Sequence, residues 1–351
     1  MNLEEAIKNI RPADEKYYKL AQQKWLTVAK PLFSLGRLEE LISRIAAMTR
    51  NADVKTDKKA LVIMCADNGV VEEGVTQCGQ DITAMVAGNF KKRAASTSIM
   101  AEKAGCDIFP VDIGIAVDVD GVTDYRKIRY GTGNITKGAA MTREETKKAV
   151  ETGIEIVASL KKQGYDLIAT GEMGIGNTTT TAAVLSVLLD IEPEKITGRG
   201  AGLSSEGLER KIAAVKKAIE VNEPDKNDII GVLSKVGGLD IAGLCGVFLG
   251  GALYNLPVII DGVISAAAAL CAFRLCPASR DYMVASHRSN EPSGSTVLKA
   301  LGMEPYIVCG MFLGEGSGAV AVMPLIDMAA SVYRDMQTFD SWDQEGYKIL
   351  E

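Results

Sequence analysis

The stretch Asp166–Leu189, DLIATGEMGIGNTTTTAAVLSVLL, constrains the fold more than any other part of the chain. A short apolar run, Leu167–Thr170, has the length of a buried strand. The glycine loop Gly171–Asn177 follows, and the threonine tetrad Thr178–Thr181 then leads into the helical run Ala182–Leu189. Strand, glycine turn and helix start in that order make a βα corner of an α/β fold, the place where backbone N–H groups approach an anion. Glycines permit positive φ and close approach, and a helix N-terminus adds unpaired donors and positive potential. Gly174, Ile175, Gly176, Asn177 and Thr178 are therefore candidate binding residues. Glu172 is the odd member, since a carboxylate repels a phosphate beside it. It reads better as an acceptor for sugar hydroxyls, and the mixture points to a nucleotide. The same residues also suit a plain tight corner, because their spacing is neither GxGxxG nor that of a phosphate-binding GxxxxGK loop.

Around this corner the chain alternates between strands and helices. Residues 1–50 carry apolar positions at helical spacing, among them Trp25, Val28, Leu32 and Leu35. A first strand, Ala60–Cys65, ends in Ala66-Asp67-Asn68-Gly69, which suits either a ligand at a strand end or an Asn-Gly turn. Val75–Phe90 begins as a polar loop and enters a helix through Ala84, Met85 and Val86; a second strand spans Asp107–Asp112. Gly114–Met141 reads as a long irregular segment, and Thr142 with Glu145 as the capping box of the next helix. Beyond the central corner lie the glycine loop Gly198–Gly202 and a helix with Leu208, Ile212, Val215 and Ile219 on one face. Lys211 on that helix either faces solvent or reaches a phosphate held by the loop.

Ile241–Ile260 is uncharged for twenty residues, which raises the question of a membrane span. Asn255 and Pro257 divide it into a helix and a strand, and Gly243, Gly246, Gly250 and Gly251 suit close helix packing, so an interior element is expected. Strands are expected at Val258–Ile260 and Asp281–Ala285, with the helix Ser265–Phe273 between them and the polar turn Ser286–Pro292 after them. Leu313-Gly314-Glu315-Gly316-Ser317-Gly318 repeats the pattern of a carboxylate on bare backbone, ahead of the apolar run Ala319–Ile326 and a helix to about Met336. Glutamate there suits a turn, but two such loops in one chain favour a site.

Bulk properties exclude several classes. A net charge of −6 and 5% aromatic residues leave neither a basic patch nor stacking platforms for nucleic acid. Seven cysteines without a CxxC pair, in a chain with one histidine, His287, suggest a reduced cytoplasmic protein without a metal site or disulfide framework. No GxGxxG follows the first strand, which argues against a dehydrogenase.

Taken in order, CADNGVVEEGVT, GEMGIGNTTT, SKVGGLDIAGL, DGVISAAAAL, SHRSNEPSG and LGEGSGAVAVMPL resemble the nicotinate-nucleotide–dimethylbenzimidazole phosphoribosyltransferase family, over about residues 5–335. The resemblance implies an α/β fold with a mainly parallel Rossmann-like sheet flanked by helices. It also implies a small helical domain built from both chain termini, here 1–50 plus 328–351, beside a large domain at 51–327. The implied reaction moves 5-phosphoribosyl from nicotinate mononucleotide to a lower-ligand base, with inversion at C1′ and no cofactor. The family works as a homodimer. A non-catalytic subunit paired with an active paralogue, as a heterodimer, is the other reading. By position, Glu315 matches the family's general base, and Glu172 with Gly174–Thr178 the nucleotide segment. Gly200, Lys211, Ser289 and Asn290 fall on segments near the phosphate. Met173 and Leu313 belong near the base; where dimethylbenzimidazole enzymes tend to carry serine and glutamine, this chain has Cys78 and Val86. The more apolar pocket implies another base, such as a different benzimidazole, a purine or a phenolic.

Overall fold

The computed structural model describes residues 1–120, 122 and 124–349. Among the described residues six strands, all parallel to their neighbours, form one sheet: β1 Lys59–Ala66, β2 Cys106–Gly114, β3 Asp124–Tyr125, β4 Leu167–Met173, β5 Val258–Ile260 and β6 Met283–Ala285. Their order is β3-β2-β1-β4-β5-β6. The chain therefore builds outward from β1 in one direction, returns to place β4 on the other side of β1, and builds outward again. The carboxyl ends of β1 and β4 flank this reversal, where a doubly wound sheet opens a crevice for ligands. Both strands are buried along their whole length, which suits the apolar stretches Ala60–Cys65 and Leu167–Ala169 within them.

Helices cover both faces. The amino-terminal ones are α1 Leu3–Asn9, α2 Glu15–Thr27 and α3 Arg37–Thr49, and α4 Asp81–Asn89 and α5 Ser96–Lys103 lie between β1 and β2. The first crossover back to the centre uses α6 Arg143–Lys162. Between β4 and β5 come α7 Asn177–Leu189, the single turn α8 Pro193–Ile196, α9 Ser205–Asn222, α10 Ile229–Val236 and α11 Leu239–Tyr254. The carboxyl-terminal part adds α12 Val263–Leu275, α13 Gly294–Ala300 and α14 Ser317–Asp335. Met64 of β1 abuts Gly243 of α11, whereas Leu61, three residues away and so on the other face, abuts Gly316 at the start of α14.

The uncharged stretch expected to be interior is so. The helix α11 is buried almost throughout, and no helix among the described residues is long and apolar enough to cross a membrane. Its glycines let α6 approach to backbone contact: a Cβ on Gly246 would strike the Val150 carbonyl. The capping box is also present, with Glu145 N–H donating to Thr142 Oγ1 at 3.1 Å and Thr142 N–H to Glu145 Oε2 at 2.8 Å.

Several boundaries move. β4 continues through Gly171 and Glu172 to Met173, and α7 starts at Asn177, so the threonine tetrad lies inside the helix. The pairing of β4 with β1 as far as Met173↔Cys65 overrides the turn character of Gly171. The apolar run Ala319–Ile326 is the first half of α14 and no separate element. Asp281 and Tyr282 belong to a 3-10 turn, leaving Met283–Ala285 as the strand. The irregular segment 114–141 contributes the short β3; its positions 121 and 123 lie outside the described residues.

The chain ends meet. Ala29 N–H donates to the Gln337 carbonyl at 2.9 Å, Phe339 N–H to that of Thr27 at 3.1 Å, and the rings of Trp25 and Tyr333 meet at a tilt of 57° with centroids 4.9 Å apart. The helix α1 instead packs on α6 and α11, and α14 runs unbroken past residue 327. Positions 350 and 351, at the end of the expected small domain, lie outside the described residues.

Candidate active site

A cavity of about 330 Å³ opens at the carboxyl ends of β4 and β5. Its walls include every site residue expected from the sequence except Asn290: Cys78, Val86, Glu172, Met173, Gly174, Ile175, Gly176, Asn177, Thr178, Gly200, Lys211, Ser289, Leu313 and Glu315. Asn290 is exposed, its N–H donating to the Met311 carbonyl at 2.9 Å, and its side chain is not part of the wall. The neighbouring Glu291 takes that place. Alternation along the turn explains the exchange: Ser289 and Glu291 face in, and the residue between them faces out.

The βα corner is held from three sides. Gly174 passes so close to the Ala66 carbonyl that a side chain there would collide, and Gly176, at φ +96°, caps α7. Ile175 N–H donates to Thr83 Oγ1 at 3.0 Å. Asn177, the first residue of α7, uses its amide to donate to both Glu172 Oε2 and, at 3.2 Å, Asp240 Oδ2. Asp240 comes from the start of α11, so a residue of the SKVGGLDIAGL motif that is not among the expected site residues takes part in orienting Glu172.

Glu172 is buried, and desolvation, followed by the like charge of Asp240, raises its pKa to about 8, while Asn177 works in the opposite direction. Held neutral, it does not repel a phosphate, which removes the conflict seen in the sequence. Burial raises Asp240 as well, to about 6. Both carboxyls bind protons more readily folded than unfolded. Their contribution to stability is thus complete at low pH and is lost as pH rises, for Glu172 from about 4.5 to about 8. Thermal unfolding across that window is expected to show the wild-type midpoint falling as pH rises and a flatter dependence in Glu172→Gln. Parallel curves would mean that Glu172 carries its charge in the fold.

Lys211 is 1% exposed, so the solvent-facing alternative is excluded. Its ammonium donates to Thr178 Oγ1 at 2.7 Å, and the position a Cβ would take on Gly200 (φ +52°) is only 3.2 Å from Nζ. Desolvation lowers its pKa to about 8, partly offset by Glu291. Burial in turn raises Glu291, with Lys211 and the Gly200 N–H acting against it. Arg199, whose guanidinium donates to the Leu203 carbonyl at 2.7 Å, adds a second cationic residue to the wall. Lys211, Thr178, Gly200 and Arg199 make a polar pocket suited to an anion. His287 is buried in the wall with Nδ1 3.0 Å from Ser286 Oγ.

Glu315 lies on the loop from α13 to α14. Gly314, Glu315 and Gly316 are left-handed in succession, at φ +80°, +60° and +88°. For a residue with a side chain this conformation is strained, and such strain collects at functional positions. The loop fits because Gly171 lacks a side chain: a Cβ there would come within 2.7 Å of the Glu315 carbonyl oxygen. Thr97, from α5, donates to Glu315 Oε2 at 3.2 Å. Desolvation raises the Glu315 pKa; the Thr97 hydroxyl lowers it and Asp261 raises it. The rim is apolar and open, with Phe312 and Leu313 more than half exposed.

A partly buried carboxylate with raised proton affinity, sharing one cavity with a lysine-centred anion pocket, can accept a proton from a group joined to a phosphorylated sugar. A phosphoribosyltransferase family profile matches residues 10–342. The chain belongs to that phosphoribosyltransferase family. Among its relatives are two nicotinate-nucleotide–dimethylbenzimidazole phosphoribosyltransferases. That of Acetivibrio thermocellus is 49% identical over 98% of this chain and 98% of the relative. That of Ruminiclostridium cellulolyticum is 48% identical over the full length of both. The crystal structure of the Thermus thermophilus enzyme of the same name superposes with a TM-score of 0.87, at 36% identity, over 95% of this chain and all of that one. The match in structure agrees with the α/β fold with a parallel sheet expected from the sequence.

Proposed function

We propose that this chain moves the 5-phosphoribosyl group of nicotinate mononucleotide to a lower-ligand base, releasing nicotinate and the α-riboside 5′-phosphate. The observation that carries this reading is the presence of Glu315 and the Lys211 pocket in one cavity. Lys211, Thr178, Gly200 and Ser289 hold the 5′-phosphate, and Glu172 lies nearest to the role of hydrogen-bonding the ribose. One nitrogen of the base attacks C1′. The C1′–nitrogen bond to the pyridinium breaks, its electron pair neutralising the ring, so the leaving group needs no acid. The proton on the second nitrogen of the base passes to Glu315 as that nitrogen becomes acidic. Holding sugar and base together in one cavity supplies the alignment.

The test is to incubate the purified chain with nicotinate mononucleotide and separate benzimidazole, purine and phenolic acceptors. Nicotinate release that depends on the acceptor is expected; release without one, or none with any, would sink the reading. Full-length relatives named as enzymes, together with Glu315, leave the non-catalytic alternative without support. The assembly proposed is a homodimer, with a heterodimer with a paralogue as the other arrangement.

Cys78, Val86, Met173 and Leu313 are proposed to face the base. Cys78 and Val86 leave that wall without the serine and glutamine typical of dimethylbenzimidazole enzymes. Cys78→Ser with Val86→Gln is expected to shift the kcat/KM ratio toward dimethylbenzimidazole by about tenfold, the worth of one recovered hydrogen bond. Competition assays with paired bases measure it, and an unchanged ratio would take both positions out of the pocket.

A further inference from the structure

Asp261 follows the last residue of β5 and is 3% exposed. Its carboxylate is committed to the loop that carries Glu315. Oδ2 accepts the Gly316 N–H at 3.1 Å, and Oδ1 accepts those of Gly318 at 2.7 Å and Ala319 at 3.0 Å. These donors begin immediately after Glu315 and include the first turn of α14, whose own N-cap, Gly316, has no side chain to satisfy them. A charged acceptor from another element therefore caps this helix, and it does so beside three consecutive left-handed residues. Hydrogen bonds to an ionised acceptor are among the strongest available, which suits them to hold a strained backbone in place.

We propose that Asp261 is a positioning residue for the transfer reaction: it clamps the Gly314–Gly318 loop so that the Glu315 carboxylate is held in the cavity. This rests on Glu315 being the base. The groups that bear on Glu315 come from separate elements. Thr97 donates to it from α5, Asp261, just past β5, binds the next residue's N–H, and Glu172 faces the Glu315 backbone N–H from β4. His287 packs against Gly318 on the far side of the clamp. Of these, Asp261 is the one that raises the proton affinity of Glu315 through its charge.

Asp261→Asn keeps the shape and one accepting oxygen while removing the charge. It also turns an amide against the Gly316 N–H. Steady-state kinetics with nicotinate mononucleotide and benzimidazole are expected to show kcat lowered roughly 10- to 100-fold. KM for the mononucleotide is expected to change much less. Removing a like charge lowers the pKa of Glu315, so the acid limb of the kcat profile should move to lower pH by roughly half a unit or more. If Asp261 acts through Glu315, adding Asp261→Asn to Glu315→Gln should lower the rate little further. Asp261→Ser, which fits the same space and retains an acceptor, serves as a second variant should the first not fold. An unmoved acid limb, or losses that multiply in the double variant, would reduce Asp261 to a structural cap. Wild-type rates in Glu315→Gln would remove the base assignment itself and this proposal with it. Loss in Glu315→Gln without loss in either Asp261 variant would overturn the positioning role alone.

Discussion

Glu315→Gln is expected to lower kcat by roughly 10²-fold or more while leaving the thermal midpoint and the affinity for nicotinate mononucleotide near their wild-type values. The substitution is close to isosteric. The amide oxygen still accepts the Thr97 hydroxyl, and the hydrogen bonds that hold the loop are made by the Gly316, Gly318 and Ala319 backbone to Asp261, so they do not involve the exchanged group. Only the capacity to take up a proton disappears. With no acceptor for it, the second nitrogen of the attacking base keeps its proton and positive charge accumulates in the transition state. Single-turnover measurements separate this loss from slow product release. The acid limb set by Glu315 should also vanish from the pH profile, since glutamine does not titrate. A wild-type rate would mean that the proton leaves by another route.

Lys211→Met is expected to raise KM for nicotinate mononucleotide by about 10²-fold, the value of a charge-assisted hydrogen bond to phosphate. Stability should move the other way or not at all. The side chain is almost fully buried, its ammonium carries a desolvation cost that brings its pKa down to about 8, and methionine fills much the same volume without a charge. Affinity thus falls without a loss of stability, which a merely structural lysine would not produce. The wild-type affinity should also weaken as pH passes above about 8 and Lys211 loses its proton, whereas the variant should lack that step. Isothermal titration at several pH values, with thermal unfolding alongside, measures both. An unchanged KM would place the phosphate elsewhere in the cavity.

Local pattern and composition made most of the secondary structure legible. The capping box Thr142/Glu145, the glycine seam of α11 and the paired glycine–carboxylate loops all rest on residues close together in the chain, and each was readable there. Errors collected where a distant partner overrode local preference. Gly171 has turn character, yet pairing with β1 extends β4 through it. For Lys211 the spacing leaves solvent and phosphate both open, and the resemblance favours the phosphate; nothing on α9 itself announces that Thr178 and Gly200 will enclose its ammonium. Glu291 replaced Asn290 in the wall because the direction of side chains in an irregular turn does not follow from residue type.

What the sequence determined by itself was the kind of protein: an α/β chain with two backbone-exposed carboxylates and, through its ordered motifs, a family. Hydrophobic period, glycine placement and motif order are properties of neighbours along the chain, and they survive without coordinates. Only the tertiary structure decided the state of the groups that would do chemistry. The protonation of Glu172 depends on burial and on Asp240, sixty-eight positions away, and the orientation of Glu315 depends on Thr97 and Asp261 from two other elements. Desolvation and charge coupling act through space, so side chains brought together by folding set them, whatever their separation in sequence.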